Sequence, residues 1–324
     1  KKLVIKFSSV DEKYAFIDKT VDRFDYDTLS NKDKRVVLLY IKKFTGYKRA
    51  QLFHLVKKAV RGRLARKKYV RKNPKITYTV RDIKLLEKRS LAHASAIHFT
   101  VLKEKEEYLS YNLPFKKDII IPNALDLSKF PQEDYKPISI REKFNIPTEN
   151  KIILFLGRIS WKKGLDTLIP SLKSVVAAEP KTTLVIAGGN DEGYRGKIEK
   201  LIKKHELSKN IIFTGMVEGE DKFSLLKGSN VFALSSYSEN FGMSVVEAMY
   251  FKLPVVITDE VGVASYVTEA DAGLVVKKET AKVSEAIIKI LADPSLGSKM
   301  GNAGHNLIKE KFENSKVTAK WIEA

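Results

Sequence analysis

The second half of the chain carries a regular alternation of two hydrophobic patterns. Continuous apolar runs of strand length recur after Lys151, and the segments between them, such as Leu165–Ala178 and Arg195–His205, have apolar residues at helical spacing. Continuous apolar strands that alternate with helices are typical of a parallel sheet covered on both faces. We therefore predict a doubly wound α/β domain with strands at Ile152–Gly157, Thr182–Gly188, Asn210–Gly215, Asn230–Ser235 and Leu253–Thr258.

The first part of the chain is also α/β by this criterion, but its pattern is less regular. A helix is predicted at Ile83–Ala94, and the polar, proline-containing residues 122–150 are typical of a connection between domains. The predicted strands are Leu3–Phe7, Val36–Ile41, Ile76–Val80, Ala96–Thr100 and Ile119–Ile121.

These patterns divide the chain into two Rossmann-like domains. Residues 1–121 form an atypical, basic N-terminal domain that is reduced or remodelled, residues 122–150 connect, and residues 151–310 form the C-terminal domain. Residues 311–324 form a short amphipathic helix in which Phe312 and Trp321 are available for packing. We find no internal repeat.

The formal net charge of +20 favours polyanions, phosphorylated ligands or an anionic membrane surface. Lysine and arginine are densest in Lys48–Lys75, where five apolar residues also recur at helical spacing. Such a basic amphipathic helix is typical of membrane-surface binding, but a core-facing helix with a solvated basic face has the same pattern. Nucleic acid is not expected, because the segment has no recognisable binding motif. The five apolar residues are Leu52, Leu55, Val56, Ala59 and Val60.

The absence of cysteine excludes disulfide scaffolds, thiolate metal sites and cysteine nucleophiles. No apolar run is long enough to span a bilayer, and Lys1–Ser8 has a strand pattern that does not match a signal peptide. We expect a cytoplasmic protein, peripheral at the inner face of the membrane if the basic helix binds lipid.

The stretch "SSYSENFGMSVVEAMYFKLPVVIT" places Glu239 and Glu247 eight residues apart, where a strand gives way to a helix at Met243–Tyr250. A helix N-terminus attracts anions, and Gly242 lets the backbone approach a phosphate closely. Glu239 lies in the turn, and Glu247 lies one helical turn beyond Met243 on the same face. Two acceptor carboxylates that flank an anion site suit a nucleotide sugar, which has phosphates between hydroxylated rings.

A second turn supports the same ligand. In "LFLGRISWKKGLDTLI", Gly157 and Gly164 bracket a turn that carries Arg158 and Lys163 after the first strand of the domain. Two cations beside a diphosphate would stabilise the charge that develops as it departs.

Together "GRISWKKGLD", "VIAGG", "FTGMV" and "SENFGMSVVEAMYFKLPVV" resemble the donor domain of the group-one, family-four retaining glycosyltransferases of the GT-B fold, over roughly Ile119–Glu323. The resemblance implies two Rossmann-like domains that face across a cleft, a C-terminal helix that crosses back onto the first domain, and no metal or other cofactor. It implies that Arg158 and Lys163 bind the diphosphate of a UDP- or GDP-sugar. By the same resemblance, the catalytic residues are Arg158, Lys163 and Glu239, and the donor-binding residues are Gly157, Gly188, Phe241, Gly242, Met243 and Glu247.

The acceptor half departs from the family pattern. Its first glycine is Gly46, so the usual N-terminal glycine-rich loop is absent or replaced, and Arg81 followed by Asp82 occupies the place of the family's Thr-x-His-Asp histidine. Arginine stays protonated at neutral pH, so Arg81 can donate hydrogen bonds but cannot serve as a general base. His93 and His98 are expected to be packing or surface residues.

We predict a metal-independent retaining glycosyltransferase that moves a sugar from a nucleotide sugar to a glycan or lipid-linked acceptor, in polysaccharide or glycolipid assembly. The alternative is a catalytically weak or inactive partner protein that keeps nucleotide binding and acts in docking or membrane targeting; an epimerase fits the charged pattern less well. The "DYD" sequence at 25–27 resembles a metal-binding motif, but we interpret it as a solvated turn.

Overall fold

The structure is a computed structural model that describes residues 10–45, 47–60, 91, 94–113, 115–131, 135–191 and 193–324. The chain divides into two compact units, Lys1–Thr77 and Tyr78–Ala324. Several predicted features lie outside the described residues: the strands at 3–7 and 76–80, nearly all of the helix at 83–94, and Arg81, Asp82 and His93.

The described part of the first unit is helical. Helices α1 (Val10–Arg23), α2 (Asn31–Thr45) and α3 (Arg49–Val60) pack through a shared apolar core. The predicted strand at Val36–Ile41 is therefore wrong. A short run of apolar residues fits a strand or a helix. Here Val37 and Ile41, four residues apart, are buried in the core, Leu38 packs partly against it, and Val36, Leu39 and Tyr40 are exposed, which is helical spacing.

Helix α3 distinguishes between the two interpretations of the basic segment. Leu52, Leu55, Val56 and Ala59 are buried against α1 and α2. The core-facing interpretation is therefore correct for this helix, since its apolar face is already covered. The turn interpretation of Asp25–Asp27 is also confirmed, because both aspartates are exposed in the turn after α1.

The described part of the second unit contains a small parallel sheet. Strands β1 (Ile97–Phe99) and β2 (Asp118–Ile120) pair in parallel, and helix α4 (Leu102–Ser110) connects them. The strands predicted around these positions are confirmed to within one or two residues at each end.

The main sheet of the second unit has six parallel strands in the order β5-β4-β3-β6-β7-β8. This arrangement confirms the predicted doubly wound domain. The five predicted strands are present, and β8 was not predicted because it is a short run after "ADA". The strands are β3 (Lys151–Leu156), β4 (Thr182–Ala187), β5 (Ile211–Gly215), β6 (Val231–Leu234), β7 (Val255–Thr258) and β8 (Gly273–Val276).

Helices cover this sheet, and the central strands β3, β4, β6 and β7 are almost completely buried, which explains their continuous apolar sequences. The predicted helices after β3 and β4 begin and end within one residue of their predicted positions. The helices of the second unit that follow α4 are α5 (Ile140–Lys143), α6 (Leu165–Ala178), α7 (Arg195–Lys204), α8 (Gly219–Gly228), α9 (Met243–Tyr250), α10 (Ala264–Glu269), α11 (Thr280–Ala292), α12 (Pro294–Leu307) and α13 (Asn314–Glu323).

The C-terminal segment packs against the elements around the main sheet and against strand β1. Phe312 lies in a π-helical turn between α12 and α13, is fully buried, and contacts the rings of Phe241 and Tyr266. Trp321 of α13 lies against His98 of β1, with ring centroids 4.6 Å apart. Among the described residues, no helix combines the length and apolar character that a bilayer span requires.

Candidate functional site

The strand order of the main sheet reverses at β3. Strands β4 and β5 lie on one side of it, and β6, β7 and β8 lie on the other. In doubly wound sheets, ligands bind outside the carboxyl ends of the strands at such a reversal. The loops that follow β3 and β6 leave the sheet at this point, and these two loops contain most of the predicted site residues.

Lys163 and Glu239 meet at the reversal. The Lys163 ammonium, from the loop after β3, forms an ion pair with the Glu239 carboxylate, from the loop after β6. Their side chains are only 17% and 22% exposed, so solvent screens the pair incompletely. Within the described residues, the pairing brings together a predicted phosphate ligand and a predicted sugar ligand.

Hydrogen bonds to backbone carbonyls fix the two loops against each other. Tyr237 N donates a hydrogen bond to Lys162 O at 2.8 Å, and Ser235 Oγ donates to Gly164 O at 2.7 Å. Gly164 has φ of +67°, and a Cβ at this position would lie 1.7 Å from Ser235 O. A larger residue would push the loops apart, because both the left-handed conformation and the contact require glycine.

The Glu239 backbone is held on its other side by the loop after β7. Glu239 N donates to Glu260 O at 3.1 Å, and Gly262 N donates to Glu239 O at 2.8 Å. The carboxylate therefore projects from a backbone that is anchored in two directions.

Helix α9 begins beside Glu239, directly after Gly242. Gly242 has φ of +100°, and a Cβ there would lie 2.9 Å from Val261 Cγ1, so glycine allows the sharp entry into the helix. The Phe241 side chain is buried and packs on Phe312, which leaves its backbone as the part that can contact a ligand. Met243 is half-buried, and among the described residues no side chain caps this N-terminus.

Glu247 lies on α9 and forms an ion pair with Lys222 of α8, with Oε1 and Nζ 3.0 Å apart. The two side chains are 18% and 23% exposed. The Lys222 ammonium also lies within 6 Å of the centroids of the Phe130 and Phe223 rings, at 5.7 and 5.5 Å. Glu247 is thus anchored by a cation that aromatic rings surround.

Arg158 has a different environment. Its Nη1 lies 2.9 Å from Asp191 Oδ2 in the loop after β4, and its side chain is 74% exposed. Gly157 and Gly188 extend the carboxyl ends of β3 and β4, where their N–H groups donate to Ala187 O and Gly215 O, respectively. Arg158 therefore lies at the solvent-exposed margin of the same edge.

Tyr237 donates a hydrogen bond to Asp166 Oδ2 at 2.7 Å. This hydrogen bond, reinforced by burial, raises the pKa of Tyr237 to about 12. The hydroxyl remains protonated at neutral pH, so Tyr237 stabilises the loop after β6 and does not act as a base. The Lys278 ammonium lies 3.2 Å from the centroid of the Tyr237 ring, on its π face.

The structure joins Lys163 to Glu239 but gives Arg158 and Glu247 separate ion partners. The partner of Arg158, Asp191, and the partner of Glu247, Lys222, were not predicted. Asp191 follows "AGGN" at a strand's carboxyl end, a position that the sequence could have indicated. Lys222 has no local signal, because its contact with Glu247 depends on how α8 packs beside α9.

On the opposite side of Glu239, helix α4 contacts the loop after β7. Lys103 Nζ lies 2.7 Å from Glu260 Oε2 and donates to Asp259 O at 2.9 Å. His98 Nε2 donates to Ile121 O at 2.7 Å, which agrees with the expected packing role. Of the residues that the structure describes, no three histidines or carboxylates gather as a metal would require.

A known protein family matches the part of the chain that contains the candidate site. Residues 138–307, just over half of the chain, match the family described as glycosyl transferases group 1. The match contains the loops after β3 and β6 and the whole of α9.

Curated relatives match more than half of the chain. A glycosyltransferase of Methanocaldococcus jannaschii is 31% identical over 185 residues, 57% of this chain and 41% of the relative. The GDP-mannose-dependent monoacylated alpha-(1-6)-phosphatidylinositol monomannoside mannosyltransferase of Corynebacterium glutamicum is 27% identical over 194 residues, 57% of this chain and 49% of that enzyme. The chain spans about half the length of these relatives.

Solved structures show the same fold. HepE of Anabaena, in complex with UDP and glucose, superposes with a TM-score of 0.68 at 18% identity, over 76% of this chain and 66% of HepE. The sucrose-phosphate synthase of Thermosynechococcus elongatus has a TM-score of 0.64 at 24% identity, over 74% of this chain and 59% of that one. These neighbours are GT-B glycosyltransferases, so the predicted fold class is confirmed.

Proposed function

The chain belongs to the group 1 glycosyl transferases, and from this premise we propose that it transfers a sugar from a nucleoside-diphosphate sugar to a glycan or lipid-linked acceptor. We further propose that transfer retains the anomeric configuration and needs no metal. The observation that carries the proposal is the contact between Lys163 and Glu239 where the strand order reverses. A cation and a carboxylate at this position suit a diphosphate and the sugar attached to it.

Lys163 is the proposed ligand of the donor diphosphate. In the free protein its ammonium pairs with Glu239, and a bound diphosphate would supply a stronger anionic partner. Release of that partner would leave the Glu239 carboxylate free to accept hydrogen bonds from the donor sugar. Arg158, exposed at the margin, would add a second cation next to the same phosphates.

The proposed reaction exchanges one bond at the anomeric carbon for another. The bond from this carbon to the diphosphate oxygen breaks, and the acceptor oxygen forms a bond to the same face of the sugar. The acceptor proton passes to the departing diphosphate, so the step requires no histidine. Lys163 and Arg158 would stabilise the negative charge on the diphosphate as it forms. This electrostatic stabilisation would be the main catalytic contribution of the site.

The rest of the donor would extend along α9. The N–H groups that follow Gly242, at the positive end of the helix, suit a phosphate, and the backbone of Phe241 and Met243 lies alongside. Glu247 is the proposed acceptor of the ribose hydroxyls, for which it would exchange or share its contact with Lys222.

Names of the relatives point to two kinds of donor. One relative is named for GDP-mannose, and one structural neighbour was solved with UDP and glucose. A test of the proposed function must therefore include both nucleotides. Release of UDP or GDP from a panel of UDP- and GDP-sugars, measured without acceptor, is expected from the wild-type protein in the presence of EDTA. A wild-type protein that binds no nucleotide and releases none would overturn the proposal.

Peripheral association with an anionic membrane is the proposed second interaction, and helix α2 supports it. Val36, Leu39 and Tyr40 are 60%, 64% and 40% exposed on one face of α2, and the exposed Arg35 and Lys43 flank them. An apolar stripe with basic neighbours suits the surface of an anionic bilayer.

Vesicle flotation tests this interaction. We expect the protein to float with phosphatidylcholine vesicles that contain phosphatidylglycerol and not with phosphatidylcholine alone. Lys43→Glu should weaken the association, whereas Lys209→Glu, an equal change of charge in the second unit, should have a smaller effect. Equal effects of the two variants would contradict a surface centred on α2.

A further inference from the structure

A cavity of about 350 Å³ lies beside Glu239. One wall comes from β1 and α4, and the other comes from the loops after β6 and β7, which contribute Glu239, Asn240 and Glu260. The two walls are joined by the ion pair between Lys103 and Glu260. The volume lies within the range of about 300–1,000 Å³ that is usual for small-molecule sites.

The cavity carries a net negative charge. Four glutamates line it, two from each wall, against one lysine, Lys103. Two of the glutamates are paired with lysines, Glu260 with Lys103 and Glu239 with Lys163, so the net negative charge of the pocket comes from Glu104 and Glu107. Glu104 accepts two hydrogen bonds from Thr100, at 2.7 and 2.9 Å, which hold its carboxylate in place. An anionic group would therefore enter against like charge at short range, which is unfavourable.

Two acidic and two aromatic residues in helix α4 and at its C-terminal end lie on one face. Glu104, Glu107, Tyr108 and Tyr111 are spaced i, i+3, i+4 and i+7, and all four line the cavity. Tyr108 is fixed by ring contacts with Phe99 and Phe115. Tyrosine rings offer apolar faces with a polar tip, and carboxylates accept hydrogen bonds from hydroxyl groups.

We propose that this cavity is the acceptor pocket and that it takes an uncharged, hydroxylated sugar ring. The inference rests on the proposed function, because the ring would present a hydroxyl to a donor sugar held near Glu239. The carboxylates of α4 would accept hydrogen bonds from the ring's hydroxyls, and its apolar face would pack on tyrosine. A phosphate carried by the acceptor would have to lie outside this pocket.

Ligand-observed saturation-transfer NMR tests the proposal on the full chain. The probes are methyl α-D-glucopyranoside and methyl α-D-mannopyranoside, each compared with its phosphate monoester at the primary hydroxyl, in the presence of saturating UDP or GDP. At least one neutral glycoside should bind, and its phosphate ester should bind more weakly by about tenfold or more. Tyr111→Ala should weaken binding of the neutral glycoside, and Leu109→Ala, an exposed residue of α4 that does not line the cavity, should not.

Charge reversal makes the test stricter. Glu107→Lys should raise the affinity for the phosphate ester relative to the neutral glycoside, because it replaces repulsion with attraction. Equal or tighter binding of the phosphate esters to the wild-type protein would overturn the proposal, as would the absence of a signal from both neutral glycosides.

A parallel calorimetric titration with UDP and GDP separates the two levels of inference. If nucleotide binds and the neutral glycosides do not, the acceptor assignment fails while the proposed function stands. If neither nucleotide binds, the proposed function itself fails. Nucleotide affinity should be unchanged in Tyr111→Ala and Glu107→Lys, because both residues lie on the wall opposite the donor domain.

Discussion

The Lys163 ammonium and the Glu239 carboxylate form an ion pair across the point where the main sheet reverses its strand order. The two residues are 76 positions apart in the chain, and they meet because β3 and β6 are neighbours in the sheet. In the free protein each residue thus satisfies the other's charge. Donor binding would exchange this internal pair for contacts with diphosphate and sugar.

The exchange predicts opposite effects of Glu239→Gln on binding and on reaction. Removal of the carboxylate frees Lys163 and removes repulsion between Glu239 and the phosphates, so UDP or GDP should bind as tightly as in the wild type or more tightly. Release of nucleotide from the nucleotide sugar should fall about 10- to 100-fold, if one charge-assisted hydrogen bond of about 1.5–3 kcal/mol is lost in the transition state.

Calorimetry measures the binding of UDP or GDP, and hydrolysis of the preferred nucleotide sugar without acceptor measures the release of nucleotide. Glu199→Gln is the matched control, because Glu199 forms an exposed ion pair with Arg195 on α7. A Glu239→Gln protein with weaker UDP and GDP binding and unchanged hydrolysis would contradict the assigned roles.

The pair between Glu247 and Lys222 predicts that stability and binding can be separated. Glu247→Gln leaves the largely buried Lys222 without its ion partner, and should destabilise the fold by about 1–3 kcal/mol. The double variant Glu247→Gln, Lys222→Met should recover much of that stability, because no unpaired charge remains. Nucleotide binding should stay weak in both variants, since the proposed ribose ligand is absent from both.

Thermal denaturation and calorimetric titration of the same samples check this prediction. The role of Glu247 would be purely structural if the double variant recovered nucleotide affinity together with stability.

Even a small side chain at position 164 should strongly reduce the free energy of unfolding. In Gly164→Ala the new methyl group would meet the carbonyl of Ser235 at a left-handed φ, and we expect a loss of about 2–4 kcal/mol in the free energy of unfolding. Gly196→Ala is the control, because a Cβ at that position would meet no atom within 4 Å and alanine favours the helix α7. Urea denaturation should show a loss for the first variant and no loss for the second.

Tyr237 predicts a dependence of stability on alkaline pH. The pKa of Tyr237 is raised to about 12 from the ordinary value of 10.0, mainly by the hydrogen bond to Asp166. The stabilisation that this protonated tyrosine gives the fold is therefore fully present below pH 10. It is lost as pH rises from 10 toward 12, because the unfolded chain releases this proton first. Tyr237→Phe should remove this component of the pH dependence, and the tyrosinate absorbance of the wild type should show one late-titrating group that the variant lacks.

Strands and helices of the second unit were predictable because their patterns are unambiguous. Five continuous apolar runs correspond to buried parallel strands, and α9 begins and ends at the predicted residues. The run at Val36–Ile41 failed as a prediction, since its six residues satisfy two periodicities and only the packing of α1 and α3 decides between them.

The candidate site was predictable in position and less so in its pairings. The sequence locates Lys163 and Glu239 in loops at strand ends, and the strand order then places them in contact. Of the two ion partners, Asp191 of Arg158 lies at a strand end that the sequence indicates, whereas Lys222 of Glu247 depends on helix packing that carries no local signal. The face of α4 that lines the cavity was not predicted, because its role depends on the opposite wall, which comes from distant loops.

Calorimetric titration of UDP and GDP into the wild-type, Lys163→Ala and Lys162→Ala proteins tests the central claim most directly. Lys162 is the matched control, an exposed lysine next in sequence whose side chain extends over Trp161. We predict that Lys163→Ala weakens the affinity of the preferred nucleotide about 10- to 100-fold, as expected for one charge-assisted contact, and that Lys162→Ala leaves it nearly unchanged. Equal affinities in all three proteins would contradict a diphosphate site at Lys163.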